Sequence, residues 1–145
     1  TAWLEKEYYY DGHKEMQKTD GQYADDMDEF VSAWKVMPKA IIIDPSALSF
    51  RVELRNRGYR IIEADNDVIN GIRKTSNMLK KGMLRVHEDC TNTIAEFGTY
   101  SWDEKAGEKG IEQPIKVADH SMDALRYFVS TAIKDKRVAR GIGGE

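Results

Sequence analysis

Apolar positions along this chain alternate between helical spacing and short unbroken runs, so the pattern predicts helices interleaved with short strands. Tyr23, Met27, Phe30, Val31 and Trp34 recur at intervals of three and four and predict a helix over Asp20–Trp34, with acids crowded at its start. Ile41–Ile43 reads as a short buried strand. Pro45 suits the first position of a helix that carries on through Ala47 to Arg57 and stops at Gly58. Tyr59–Glu63 reads as a strand. Asp65 or Asn66 then caps a helix that runs to Lys81 and stops at Gly82. Met83–Val86 is a short strand and Cys90–Phe97 a short helix. Ala2–Tyr10, aromatic and partly alternating, reads as a strand before the Asp11-Gly12 turn, with a polar loop over 13–19. Thr99–Trp102 and Gln113–Val117 flank a hairpin whose tip is the polar stretch 103–110. Asp119 to about Lys136 forms the last helix, and residues 138–145 form a tail. The alternation argues an α/β fold whose parallel part lies between residues 40 and 86; the early strand and the late hairpin make the sheet mixed.

Two stretches concentrate the chemistry. The last helix opens Asp119-His120-Ser121-Met122-Asp123-Ala124-Leu125-Arg126-Tyr127. At about 100° per residue, Asp119 and Asp123 sit about 40° apart, and His120 lies about 60° beyond Asp123. Met122, Leu125, Val129, Ala132 and Ile133 occupy a separate apolar arc. Acids at the rim of a core can hold a divalent cation. Asp44 follows Ile41–Ile43, and in open α/β sheets ligands gather at the carboxyl ends of strands. Asp44 before Pro45 is equally a common helix cap, and Asp119 a common cap or first-turn acid. Asp123 lies a full turn inside its helix, where capping explains it poorly. Arg126 is placed either to touch a phosphate or to pair with Asp119 or Asp123. The run Asp25, Asp26, Asp28 and Glu29 reads as a solvated helix face, and Tyr8-Tyr9-Tyr10 as strand packing.

Ile41-Ile42-Ile43-Asp44-Pro45-Ser46-Ala47, followed much later by Asp119-His120-x-x-Asp123-Ala124-x-Arg126-Tyr127, resembles the C-terminal nuclease domain of the large terminase subunit of tailed bacteriophages and prophages. The resemblance runs from about Tyr8 to about Lys134. It implies an RNase H-like mixed sheet flanked by helices, a nuclease domain over residues 1–137, and an endonuclease that cuts double-stranded DNA concatemers during viral genome packaging. It implies two Mg²⁺ or Mn²⁺ ions. Asp44 matches the family's second acid, Asp123 its third, and His120 the nearby histidine. Catalytic Asp44, His120 and Asp123 follow, with Asp44, Asp119, Asp123 and His120 as metal ligands. The implied partners are double-stranded DNA, the small terminase subunit and the portal, in the bacterial host cytoplasm. Lys105 and Lys109, near the hairpin tip, are contact candidates for DNA. The family's first catalytic Asp sits in a V-D-x-G-like segment on its first strand. This chain begins instead with Ala2-Trp3-Leu4-Glu5-Lys6-Glu7, which resembles the next two strands, so the fragment is expected to lack the first strand, that Asp and the ATPase motor. Two rival readings remain: a non-catalytic fold that contacts protein or DNA, and a resolvase-like nuclease core.

Composition narrows this only modestly. The 145 residues suit one domain with its own core, and no run of about 18 apolar residues marks a membrane span. The net charge of -3 is not that of a protein that grips DNA by bulk charge. Basic clusters occur at Lys80-Lys81 and at Lys134, Lys136, Arg137 and Arg140. The single Cys90 excludes an intrachain disulfide and fits a reducing compartment.

Overall fold

The structure, a computed structural model, describes residues 1–12, 14–116 and 119–133; His13, Val117, the basic residues from Lys134 onward and the expected tail 138–145 lie outside these described residues. Ten elements follow in order: β1 (Ala2–Leu4), α1 (Asp20–Ser32), β2 (Ile41–Ile43), α2 (Leu48–Asn56), β3 (Ile61–Glu63), α3 (Val68–Lys80), β4 (Leu84–Val86), α4 (Thr91–Thr99), α5 (Glu104–Glu108) and α6 (His120–Ala132). The chain divides into two compact units, Tyr8–Ala64 and Thr1–Glu7 with Asp65–Glu145.

In the unit Tyr8–Ala64, β2 and β3 pair in parallel, Ile41 opposite Ile61 and Ile43 opposite Glu63. Helix α1 begins with a capping box in which Thr19 and Gln22 each bond the other's backbone N–H. Its core contact centres on Ala24, fully buried with Leu54, against Ile43 and Tyr59. Trp34, expected within this helix, lies beyond it and is exposed. The acid run on α1 is not simply solvated. Asp25 and Asp28 each accept from Arg57 Nη1 at 2.7 Å, Asp28 also accepts from the Tyr59 hydroxyl at 2.6 Å, and Asp26 binds Tyr8 and Lys18. Burial, and then the Asp28 carboxylate, push the Tyr59 phenol up to about 12.

In the other unit, β1 pairs in parallel with β4, Ala2 opposite Leu84 and Leu4 opposite Val86. The early strand therefore pairs in parallel with β4, not antiparallel as expected. It stops at Leu4, not at Tyr10, and residues 5–12 form no strand. Glu7 turns aside to the start of α4, where Oε1 accepts from Asn92 N at 2.6 Å and Oε2 from Thr93 N at 2.9 Å and Thr93 Oγ1 at 2.8 Å. Tyr10 instead packs edge-on against Tyr23, 5.9 Å between ring centres. The core here gathers Met78, Leu84, Leu125 and Val129. Helix α3 is capped by Asp67, whose carboxylate accepts from Asn70 N at 3.2 Å. Asp65, an expected cap, instead turns its side chain to Asp67 N. Helices α2 and α3 stop as expected at Gly58 and Gly82, both at positive φ. At each, two backbone bonds close the last turn in a Schellman arrangement: Gly58 N to Arg55 O with Tyr59 N to Leu54 O, and Gly82 N to Leu79 O with Met83 N to Met78 O. The expected hairpin survives as an antiparallel bridge between Trp102 and Pro114, but its tip is the helical turn α5 rather than a loop. Asp103 caps that turn through Ala106 N.

Candidate functional site

Asp44 leaves the carboxyl end of β2, as the run of isoleucines requires. Its side chain is not the helix cap. Asp44 Oδ1 accepts from Ser46 N and Ser46 Oγ, both at 2.8 Å, while Asp44 O accepts from Ala47 N at 3.1 Å. Asp44-Pro45-Ser46-Ala47 is thus a turn with Asp first and Pro second, where both are favoured. Helix α2 begins only at Leu48, so Pro45 is not its first residue, and its N-cap Ala47 offers no side-chain bond. The turn holds the half-buried Asp44 carboxylate at the strand tip.

Asp119, His120 and Asp123 belong to the other unit, at the start of α6. The two aspartates come together there. Lys116 Nζ lies 3.4 Å from Asp119 Oδ2 and 3.7 Å from Asp123 Oδ2, so one cation is shared by both carboxylates. Asp119 occupies the N-cap position but caps nothing with its side chain; its φ of -118° and ψ of 9° differ from the extended backbone that lets a capping side chain reach the first turn. Asp119 is 8% exposed, and its Oδ2 is buried without a hydrogen bond among the described residues. Lys116, 64% exposed, answers it by charge at 3.4 Å. Asp123 accepts from Arg126 Nη2 at 3.2 Å, and Arg126 Nη1 donates to Asn66 Oδ1 at 3.0 Å. Arg126 is only 2% exposed, and both of its terminal nitrogens are engaged within the fold. His120 stands exposed at the first position of α6.

Two neighbours of the pair escape a reading by local pattern. Glu96 on α4 is 4% exposed, and its Oε1 accepts from Ser121 N at 3.0 Å and Met122 N at 3.3 Å. It performs from a second helix the capping that Asp119 does not. Tyr100 also faces the pair: burial first, and then the negative field of Asp123, push its phenol above the ordinary range, with Arg126 partly offsetting them. Lys116 alone had a local signal, standing three residues before Asp119. Helix α6 buries Met122, Leu125 and Val129 of the expected arc, leaves Ala132 exposed, and ends at Ala132; Ile133 leaves it in extended conformation.

Carboxylate oxygens suit Mg²⁺ or Mn²⁺, and a buried oxygen without a hydrogen bond beside a second carboxylate fits a cation. The donor set within either unit is incomplete: neither gathers three or more His, Cys, Asp or Glu side chains able to hold a metal among the described residues.

The sequence matches the model of the terminase RNase H-like domain over residues 2–131. The chain belongs to that family. Two crystal structures of large terminase from a thermophilic bacteriophage superpose on this terminase domain, with TM-scores of 0.82 (crystal form 3, 44% identity) and 0.84 (crystal form 2, 45% identity). Each similarity covers 88% of this chain and 33% or 32% of the phage enzyme's chain. The domain thus spans about a third of the length of the large terminases it matches. It has the RNase H-like fold expected from the sequence, and the match begins at residue 2 rather than near Tyr8. No curated protein matches. Among the described residues, no helix is long and apolar enough to cross a membrane.

Proposed function

We propose that this terminase domain hydrolyses phosphodiesters of double-stranded DNA, cutting concatemers as a phage genome is packaged in the host cytoplasm, with Mg²⁺ or Mn²⁺ as cofactor. One observation supports the reading beyond family membership: Asp119 keeps a buried oxygen without a hydrogen bond among the described residues, and it shares the Lys116 ammonium with Asp123. In this reading Asp44 of one unit and Asp119 and Asp123 of the other are the carboxylates assigned to the metal, with His120 as the histidine at the start of α6. Bound divalent ions supply Lewis acidity that lowers the pKa of water and stabilises charge on the leaving oxygen. The chain's own residues prepare for this. The Asp44 turn fixes one carboxylate through Ser46. Arg126 orients Asp123 through one oxygen. His120, exposed at the first position of α6, would orient the attacking water. The small terminase subunit and the portal are the partners of the larger protein in this reading.

Supercoiled plasmid incubated with this chain and Mn²⁺ tests it. Cleavage should fall in Asp44→Ala and in Asp123→Ala by more than the roughly 10–100-fold that loss of an outer-shell partner costs. Cleavage indifferent to both would refute the assignment. A second reading, a contact module without chemistry, draws on the incomplete donor set within each unit. DNA binding without cleavage, unchanged in both variants, is its signature.

A further inference from the structure

Helix α6 carries two of the three proposed carboxylate ligands, and its first turn is not capped by its own N-cap residue. An Asp at that position ordinarily accepts from the second or third helical N–H, satisfying a donor that would otherwise be orphaned. Here those donors, Ser121 N and Met122 N, are both taken by Glu96 Oε1 from α4. Glu96 is 4% exposed, and its second oxygen, Oε2, is buried without a hydrogen bond among the described residues. The Asp119 side chain, displaced from the cap, keeps a buried oxygen that makes no hydrogen bond among the described residues and lies near the Lys116 ammonium.

We propose that Glu96 is a positioning residue for the acid pair. By capping α6 from α4 it keeps the Asp119 carboxylate off capping duty and directed at a cation. The inference rests on the reading of Asp119 and Asp123 as metal ligands. Without Glu96, the nearest carboxylate able to take the two N–H groups is Asp119 itself, which would swing onto the cap and leave the cation.

The test is a cycle of Glu96→Ala, Asp119→Ala and the double variant in the 145-residue chain. It has two readouts: thermal unfolding without metal, and calorimetric titration with Mn²⁺. In the wild-type background, Asp119→Ala removes a buried oxygen that lacks a hydrogen bond, so the melting temperature should hold or rise. In the Glu96→Ala background it removes the substitute cap, so the melting temperature should fall. Equal shifts in the two backgrounds overturn the proposal, because they mean the side chains act independently. Glu96→Ala, measured well below its melting temperature, should weaken Mn²⁺ binding about 10-fold or more although Glu96 touches no ion. Glu96→Gln keeps an acceptor oxygen for the cap and should restore binding. Should the alanine variant fail to fold, Glu96→Asp retracts the carboxylate by one methylene and serves the same comparison. Wild-type protein that binds no Mn²⁺ sinks the metal reading and this inference with it. Wild-type binding that is lost in Asp119→Ala but kept in folded Glu96→Ala sinks this inference alone.

Discussion

Replacing Glu7 with glutamine changes no shape and removes one charge. Each Glu7 oxygen accepts two bonds at the start of α4: Oε1 from Asn92 N at 2.6 Å and Asn92 Nδ2 at 3.3 Å, Oε2 from Thr93 N at 2.9 Å and Thr93 Oγ1 at 2.8 Å. The N-cap Cys90 has no side-chain bond to offer in their place. An amide would turn an NH₂ group toward donors and weaken the remaining bonds by taking away the charge. A hydrogen bond to a charged group contributes about 1.5–3 kcal/mol. Because Glu7 is only partly buried, the lower half of that range applies, about 2 kcal/mol in all. For a chain of this size each kcal/mol moves the melting temperature by about 2–4 °C, so Glu7→Gln should melt about 4–8 °C lower at neutral pH. The difference should also depend on pH. Burial alone would raise the Glu7 pKa, but the bonds from Asn92 and Thr93 together outweigh it and hold the carboxyl below its ordinary 4.5. A folded-state pKa below the unfolded one contributes stability that is present above the unfolded value and lost as pH falls through the folded one. The gap between wild type and variant should therefore be full at neutral pH and close on acidification below 4.5. Melting followed by circular dichroism through this range reads both effects. A neutral-pH shift under about 1 °C, or a gap that persists undiminished in acid, would refute the capping argument.

Two further outcomes follow from the same unit. A Cβ on Gly71 would lie 2.7 Å from Arg126 Cγ and 2.8 Å from Ser130 Oγ; because Arg126 is tied to Asn66 and Asp123, it cannot yield. Overpacking of this kind costs about 1–3 kcal/mol, against about 1 kcal/mol gained in helix propensity, so Gly71→Ala should lower the melting temperature, and a rise would show the contact to be soft. Lys116→Met removes the ammonium shared by Asp119 and Asp123; since exposed ion pairs are worth about 0.2–1 kcal/mol, Mn²⁺ affinity should rise by up to about fivefold in calorimetry. A fall in affinity would mean that Lys116 helps to hold the site rather than competing for it.

Local rules carried far in this chain. The isoleucine run, the glycines after α2 and α3 and the apolar arc of α6 appear where the pattern placed them, because each depends on residues within a turn or two of one another. The Asp119-to-Tyr127 motif likewise marked the acid pair, since four residues along a helix are neighbours by geometry. Other features were decided by residues distant in sequence. Asp119 looks like a cap and is not one, because Glu96 reaches its helix from 25 residues away. β1 stops at Leu4, and Glu7 just beyond it binds α4, some 85 residues on. The parallel partner of that strand, β4, is equally remote. Helical and strand periods are written in neighbouring side chains. Which carboxylate satisfies which helix end depends on packing that brings distant segments together, and only the tertiary structure determines it.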